Sequence, residues 1–262
     1  MSEQKVVLIT GASTGFGRET AALLSQKFYR VFGTTRRQLP GLLTLDVTSD
    51  DSVHACVEKI LSIAGRIDIL INNAGFVING LAEEVTLEQA KSIFETNFFG
   101  CTRMINAVLP IMRKQNQGRI INISSLAGLV ATPGHAHYSA TKFALEGYTE
   151  SLNYELKTFN IQCALIEPGF FKTDLNKNMV QAAQTIPDYS FLRSILIDIF
   201  EKGVRTGQDP AKVANLILKV IESNAPKLRY SIGPGAPWVQ ILKCLLPQKL
   251  FIRGVRKFFH LP

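Results

Sequence analysis

The sequence predicts an α/β domain organised on a doubly wound parallel sheet. Short apolar runs rich in β-branched residues alternate with longer segments of helical period, which is the pattern of strands and crossover helices. Glycines and polar residues directly follow several predicted strands, and the carboxyl ends of parallel strands share one edge of a sheet. A chain of 262 residues, 46% of them hydrophobic, can bury one large core. We therefore expect one main domain with its site at that edge.

A glycine-rich turn lies between the first predicted strand and the first predicted helix. Residues 5–10 are apolar and β-branched, and apolar residues at helical spacing continue to Leu24. Between them, Gly11, Gly15 and Gly17 form a T-G-x-x-x-G-x-G pattern. Glycines let the backbone turn sharply and approach a pyrophosphate, whose charge meets free N–H groups at a helix start. The pattern indicates a dinucleotide site, with a purely structural turn as the alternative.

The rest of the chain continues the alternation. Only residues 36–41 separate the second and third strands, whereas a parallel crossover usually needs about a dozen residues or more. We expect an irregular connection there, which leaves that end of the site open. Further strands are predicted at residues 30–35, 42–45, 67–71, 119–123, 161–166 and 228–232, and helices at 50–63, 86–113 and 138–159.

Tyr138 and Lys142 lie one helical turn apart at the start of a predicted amphipathic helix. Residues at i and i+4 occupy the same helix face. A phenol is a poor acid near neutrality, but a neighbouring ammonium favours the phenolate, so the pair can shuttle a proton. Two ordinary residues near a helix start are the alternative interpretation.

The composition argues against a nucleic-acid-binding protein, a metalloprotein and a secreted or membrane-spanning protein. The net charge is +8, and residues from Trp238 onward supply five Lys or Arg residues and no acid. The remainder is nearly balanced, so we expect no nucleic-acid partner.

The four cysteines are widely spaced and the four histidines lack ligand spacing, so we expect reduced thiols and no metal site. No signal peptide or spanning segment is predicted, which favours a cytoplasmic location.

The C-terminal residues 236–262 form a predicted basic, amphipathic arm. Such a segment can lie in a membrane interface, which would make the protein a peripheral membrane protein. It can equally pack over a substrate entrance or against a neighbouring subunit. Both interpretations stay open at this point.

Seven motifs lie in register between residues 5 and 235, and Ser125 precedes Tyr138 by thirteen residues. With these motifs the chain resembles the short-chain dehydrogenase/reductase family in its single-domain form, and it is similar to steroid and retinoid members. The resemblance implies a seven-stranded Rossmann fold of strand order 3-2-1-4-5-6-7, in a domain over residues 1–235 with a substrate lid at about 170–207. The motifs are Thr10-Gly11-x-x-x-Gly15-x-Gly17, Asp46-Val47, Asn72-Asn73-Ala74-Gly75, Asn97, Ser125, Tyr138-x-x-x-Lys142 and Pro168-Gly169.

The resemblance implies four catalytic residues. Tyr138 would exchange a proton with the substrate oxygen, and Lys142 would favour its phenolate and hold the nicotinamide ribose. Ser125 would hydrogen-bond the substrate oxygen where negative charge develops. Asn97 would bind a water that links Lys142 to solvent. A strand-end cap for Ser125 and a solvated polar face for Asn97 are the alternatives.

The resemblance also implies the cofactor contacts. Asp46 and Val47 would read the adenine, the segment around Ala74 would pass beneath the cofactor, and Thr173 would help hold the nicotinamide carboxamide. The full predicted set is Gly11, Ser13, Thr14, Gly15, Phe16, Gly17, Arg36, Arg37, Asp46, Val47, Asn73, Ala74, Gly75, Asn97, Tyr138, Lys142, Pro168, Gly169, Phe171 and Thr173.

The end of the second strand predicts the choice of cofactor. An acid there would bind the ribose 2′-hydroxyl and repel a 2′-phosphate. This chain has Thr35 at that position, followed by Arg36 and Arg37. Because guanidinium groups suit a phosphate dianion, we predict NADP(H), with Arg36 as the main contact and Arg37 or Thr14 assisting. Two solvated arginines are the alternative.

The predicted lid is rich in aromatic and aliphatic residues, which favours a small apolar carbonyl or alcohol as substrate. A steroid, a retinoid or a long-chain keto compound would fit. The alternatives are reduction of a 3-oxoacyl thioester and a non-catalytic NADP(H)-binding sensor or scaffold. The resemblance further implies a homodimer or homotetramer formed through the helices around residues 86–113 and 138–159.

Overall fold

A seven-stranded parallel sheet forms the centre of the computed structural model, which describes residues 4–173 and 179–261. Two further short strands, β5 and β8, pair with each other outside this sheet. The strands are β1 Val6–Ile9, β2 Arg30–Thr35, β3 Leu43–Thr44, β4 Ile69–Asn72, β5 Ile78–Asn79, β6 Gly118–Ile123, β7 Ile161–Pro168, β8 Val180–Gln181 and β9 Arg229–Ile232.

The central sheet has the order β3-β2-β1-β4-β6-β7-β9, which confirms the predicted order 3-2-1-4-5-6-7 once β5 and β8 are left out of the count. Every pairing within it is parallel. The order reverses direction between β1 and β4, and such a switch point is where parallel α/β sheets bind ligands.

Helices cover both faces of the sheet. Ser49 caps α2 by accepting the N–H of Ser52 at 3.2 Å, and Thr86 and Gln89 form a capping box at α3. The helices are α1 Gly15–Gln26, α2 Asp50–Ala64, α3 Leu87–Phe94, α4 Gly100–Gln115, α5 Ala136–Glu155, α6 Ser190–Thr206, α7 Ala211–Glu222, α8 Ala236–Leu245 and α9 Gln248–Phe258.

Strand β1 shows why the sheet is buried on both faces. Its four residues are all buried, and alternate side chains point to opposite faces. Val6 and Leu8 join the apolar layer that contains Met104 of α4. Val7 and Ile9 join the other layer, which contains residues of α1 and α7. This double burial explains the continuous apolar run in the sequence.

Three segments refine the predictions. The connection after β2 is irregular as expected, and it leads to a β3 of only two residues. The predicted helix at 86–113 is helical throughout, but the π-helical turn Glu95–Phe99 separates α3 from α4. Helices α6 and α7 and the short strands β5 and β8 were not predicted. None of the helices within the described ranges is both long enough and apolar enough to span a membrane.

Candidate active site

In the glycine turn between β1 and α1, neighbouring parts of the chain approach the glycine backbone closely. Gly11 has a φ of +66°, in the left-handed region that favours glycine. A Cβ added to Gly17 would lie 2.4 Å from the carbonyl oxygen of Gly11 and 2.5 Å from Nδ2 of Asn73. Thr14 precedes α1 without a side-chain cap, so the first N–H groups of that helix remain available to an anion. The turn therefore fits the pyrophosphate of a dinucleotide.

Asn73 ties the loop after β4 to this turn. Its Nδ2 donates to the carbonyl oxygens of Thr10, at 3.0 Å, and Gly11, at 2.9 Å. In return, the hydroxyl oxygen of Thr10 accepts the N–H groups of Asn73 and Ala74, both at 2.9 Å. The Asn73 side chain thus braces the turn from below, and Ala74 lies directly beside it.

Asn97 ties the same loop to the Tyr138 helix. It is fully buried in the π-helical turn, where its Oδ1 accepts the N–H of Phe76 at 3.0 Å. Its Nδ2 donates to the carbonyl oxygen of Phe76 at 2.9 Å and to the hydroxyl of Thr141 at 3.3 Å. The hydroxyl of Thr141 donates in turn to the carbonyl oxygen of Tyr138 at 2.7 Å. Since both amide hydrogens are engaged, a water at Asn97 would have to bind one of its oxygens.

The loop residue Gly75 lies against this amide. A Cβ added to Gly75 would lie 3.0 Å from Oδ1 of Asn97. A π-helical turn within a helix often marks a functional site. Here the turn brings the Asn97 amide within reach of both Phe76 and α5.

Tyr138 and Lys142 meet at the carboxyl end of β6. Lys142 is buried, and its ammonium donates to the carbonyl oxygen of Ile123 at 2.8 Å. Its Nζ lies 5.7 Å from the centroid of the Tyr138 ring. The structure therefore brings together the phenol and the ammonium that the sequence pairs.

Ser125 lies on the turn that follows β6. Its Oγ accepts the N–H of Ala127 at 3.1 Å and lies 3.5 Å from the carbonyl oxygen of Pro168. The turn packs on α5, because a Cβ added to Gly128 would lie 3.1 Å from Cβ of Lys142. Ser125 thus caps the short helix that follows β6, beside the Lys142 face of α5.

The segment after β7 returns to the glycine turn. The N–H of Gly169 donates to the carbonyl oxygen of Ile232 at 2.9 Å. The buried ring of Phe171 packs edge-on against Phe16, with centroids 5.3 Å apart. Thr173 lies 3.8 Å from where a Cβ of Gly15 would be. Residues 174–178 of the predicted lid lie outside the described residues.

Two arginines mark the other end of the site. Arg36 and Arg37 are exposed directly after β2. The hydroxyl of Thr35 lies 3.5 Å from that of Ser13, which joins the end of β2 to the glycine turn. This end of the site is open and carries positive charge.

Asp46 and Val47 lie near these arginines but differ in surroundings. Oδ1 of Asp46 accepts the N–H and hydroxyl of Thr48, at 2.9 and 2.7 Å. Burial raises the pKa of Asp46, but these hydrogen bonds and the nearby Arg36 outweigh it, so the pKa falls below its usual range. The Val47 side chain packs in the core, 2.7 Å from where a Cβ of Gly100 would be. Any contact between Val47 and an adenine would therefore come from its backbone.

Sequence reasoning missed an ion pair that ties α6 to the segment before α3. Buried Glu84 pairs with Arg193 of α6 and accepts the N–H of Ile186 at 3.0 Å. The hydrogen bond from Arg193 lowers the pKa of Glu84 to about 2. No local pattern predicts this pair, because its members are far apart in sequence.

His135, one of the four histidines, packs against the same helix. It is buried and stacks on Phe200 of α6 with centroids 4.8 Å apart. Burial lowers the pKa of His135 to about 4, so the ring is neutral near pH 7. It serves the packing between α6 and the start of α5.

A second missed cluster ties α5 to the edge of the sheet. Arg229 of β9 donates to Glu146 at 3.0 Å and to Glu150 at 2.7 Å, and lies 3.7 Å from Glu167. The Ser231 hydroxyl bonds the Glu167 carboxyl. Burial raises the pKa of Glu146 above its usual range and raises that of Glu167 to about 7.

Comparison with known proteins identifies the family. Residues 5–184 match the family model described as short chain dehydrogenase. The chain belongs to the short-chain dehydrogenase/reductase family. It is 42% identical to 3-ketodihydrosphingosine reductase of Bacteroides thetaiotaomicron, covering 98% of each chain, and 36% identical to retinol dehydrogenase 8 of Bos taurus, covering 95% of this chain and 88% of that protein.

A solved structure supports the same assignment. A short-chain dehydrogenase from Streptomyces avermitilis superimposes with a TM-score of 0.86 at 30% identity, covering 99% of this chain and 97% of that one. Members of this family are oxidoreductases that act on alcohol or carbonyl groups with NAD(H) or NADP(H). The resemblance read from the motifs and the predicted fold are both confirmed.

Gly17→Ala should destabilise the protein by about 1–3 kcal/mol, because the added methyl meets backbone that cannot move aside. The matched control is Gly147→Ala in α5, where a Cβ would meet nothing within 4 Å. That change should stabilise the protein by about 0.5–1 kcal/mol. Urea unfolding of both variants measures the difference, and equal effects would contradict the close approach at Gly17.

Glu167→Gln should flatten the dependence of stability on pH. The folded chain holds the Glu167 proton more tightly than the unfolded chain, so the stabilising contribution is complete below about pH 4.5 and lost as the pH rises through about 7. Between pH 5 and pH 8 the wild type should lose about 1–3 kcal/mol that the variant does not.

Glu150→Gln is the matched control, because Glu150 shares Arg229 and the hydrogen bond from Arg229 keeps its pKa below the usual range. Urea unfolding at both pH values should show the wild-type slope for this variant. If Glu167→Gln lost stability between pH 5 and pH 8 as the wild type does, the assignment of this pH dependence to Glu167 would be wrong.

Proposed function

We propose that the chain is an NADP(H)-dependent oxidoreductase that reduces the carbonyl group of a small apolar substrate, or oxidises the corresponding secondary alcohol. The observation that carries the proposal is the position of Lys142. Its ammonium donates a hydrogen bond to the carbonyl oxygen of Ile123 at the end of β6, and it lies 5.7 Å from the centroid of the Tyr138 ring. The glycine turn opens at the same edge of the sheet. A proton carrier therefore lies at the edge where the fold would hold a dinucleotide.

The proposed chemistry assigns a role to each side chain. When bound, the nicotinamide supplies the hydride for the carbonyl carbon. Tyr138 donates its hydroxyl proton to the carbonyl oxygen, and Lys142 favours the phenolate that remains. The Ser125 hydroxyl donates to the same oxygen as negative charge develops on it. Alcohol oxidation runs these steps in reverse.

Asn97 has a positioning role in this proposal. Its amide links Phe76 to Thr141, and Thr141 bonds the carbonyl oxygen of Tyr138. These hydrogen bonds therefore fix the loop that would lie beneath the cofactor relative to the first turn of α5. A water on an Asn97 oxygen would serve Lys142 as the proton path to solvent.

The exposed arginines support NADP(H) over NAD(H). A 2′-phosphate carries a dianion that a guanidinium can bind with two hydrogen bonds. Arg36 lies close enough to Asp46 to lower the pKa of that carboxyl, so its positive charge lies near a residue expected to contact the adenine. Arg37 and Thr14 would assist.

The lid supports an apolar substrate. Phe170 and Phe200 pack edge-on with centroids 5.7 Å apart, and Phe200 also stacks on His135 beside the Tyr138 helix. Apolar walls with a few polar groups suit a hydrophobic ligand. The relatives' names specify reduction of a keto group and oxidation of retinol. We therefore propose a long-chain keto compound, a retinoid or a steroid as the substrate.

The proposal places the protein in the cytoplasm, in peripheral contact with a membrane. Cys56, Cys101 and Cys163 are buried free thiols, as expected in a reducing compartment. An apolar substrate would be stored in lipid, and the C-terminal arm is basic and amphipathic. The homodimer or homotetramer that the resemblance implies stays a prediction. Light scattering on the purified protein would test it.

Tyr138→Phe should reduce turnover of an apolar ketone at least ~100-fold, because the phenyl ring cannot donate a proton. Cofactor binding should stay nearly unchanged, since only one oxygen atom is removed. The measurements are NADPH consumption by absorbance and NADPH affinity by fluorescence titration. Tyr154→Phe is the matched control on the exposed face of the same helix. Retention of turnover by Tyr138→Phe would show that the assigned proton donor is wrong.

Arg36→Ala should weaken NADPH about 10- to 100-fold, since hydrogen bonds to charged groups contribute about 1.5–3 kcal/mol. NADH has no 2′-phosphate, so its use should be unchanged. Initial rates over a range of each cofactor measure the effect. Arg30→Ala removes an exposed arginine at the opposite end of β2 and should change neither cofactor. Equal or better use of NADH by the wild type would overturn the NADP(H) assignment.

A further inference from the structure

The C-terminal arm, helices α8 and α9, packs beside the candidate active site. The Lys243 ammonium of α8 donates to the carbonyl oxygen of Leu129. The same ammonium lies 5.0 Å from the centroid of the Phe143 ring, and Phe143 directly follows Lys142. The arm is therefore fixed next to the start of α5.

The outward face of α8 is apolar. Trp238, Ile241, Leu242 and Leu245 follow an i, i+3, i+4, i+7 spacing, which places them on one helix face. Their exposed fractions are 65%, 46%, 45% and 75%. An amphipathic helix normally turns such a stripe toward the core, and an exposed stripe marks an interaction surface. We call these four residues the α8 face.

The charge of α9, the helix that follows α8, selects the partner of this face. Lys249, Arg253, Arg256 and Lys257 lie on α9, and no acid follows Glu222 in the chain. Pairing two copies of this face would bring like charges together, which costs free energy. An anionic bilayer instead neutralises them and accepts the apolar side chains.

An apolar cavity lies beneath α9. It has a volume of about 390 Å³, within the range of small-molecule sites. One wall belongs to the segment that leads into α5 and the other belongs to α9. The lining includes Val130, Pro133, Phe143, Phe251, Ile252 and Val255.

We propose that the arm docks the protein on an anionic lipid bilayer through the α8 face, and that the cavity beneath α9 admits an apolar substrate from the lipid. The docking half stands on the exposed face and its charge alone. The substrate half rests on the proposed function. The arm would therefore both hold the protein on the bilayer and provide the path by which the substrate enters.

Trp238, the only tryptophan of the chain, reports docking directly. Its fluorescence should shift to the blue with vesicles of phosphatidylcholine and phosphatidylglycerol, and not with phosphatidylcholine alone. Added salt should weaken binding. The double variant Lys249→Glu/Arg253→Glu should bind at least about 30-fold more weakly, since each lost cation near an anionic surface removes a factor of about five and each new carboxylate is repelled by that surface. The matched control Lys59→Glu/Arg113→Glu should bind like the wild type.

A second pair of variants tests the apolar face. Ile241→Ser/Leu245→Ser should lose binding in vesicle sedimentation, whereas Phe28→Ser/Leu87→Ser, which also changes exposed apolar residues, should retain it. Absence of a Trp238 shift with anionic vesicles would overturn the docking proposal. So would equal losses in the variants and their controls.

Turnover separates the two halves of the proposal. The docking variants should consume NADPH normally with a dissolved ketone and slowly with a ketone held in anionic vesicles. Equal rates for the vesicle-held ketone in wild type and variants would overturn the entrance role. If no carbonyl compound is reduced while the Trp238 shift persists, the proposed function fails and the docking surface stands.

Discussion

The hydrogen bond from the Lys142 ammonium to the carbonyl oxygen of Ile123 holds the Tyr138 helix against the central sheet. A buried ammonium costs free energy unless it is hydrogen-bonded, and the end of β6 supplies the acceptor. The bond also sets where the phenol lies, because Tyr138 is one helical turn away. The contact thus fixes the start of α5 close to the edge where the strands end.

Two asparagine amides extend this constraint across the site. Asn73 braces the glycine turn, and Asn97 joins the next loop to α5 through Thr141. An amide supplies both donors and an acceptor, so each side chain can satisfy two separate segments at once. Hydrophobic packing fills the layers on either side of the sheet, while these amides align the strand ends. Pre-organisation of this kind is what proton and hydride transfer require.

Periodicity predicted the seven strands of the central sheet, and the motifs after them predicted the residues gathered at one sheet edge, because both are local signals. The strand order was implied by the family resemblance. The sequence did not predict the π-helical turn at Asn97, whose amide bonds the backbone of Phe76. It also missed the buried pair of Glu84 and Arg193 and the burial of His135. These depend on long-range packing that no local pattern encodes. The position of the arm was open for the same reason, until the contacts of Lys243 placed it beside α5.

A crystal structure with NADP⁺ and an apolar alcohol would test the central claim most directly. We predict Tyr138 Oη and Ser125 Oγ at hydrogen-bond distance from the alcohol oxygen, about 2.6–3.2 Å, with Lys142 Nζ on the ribose hydroxyls. The pyrophosphate should lie on the glycine turn and the 2′-phosphate beside Arg36. A dinucleotide bound elsewhere, or an alcohol oxygen out of reach of Tyr138, would contradict the account.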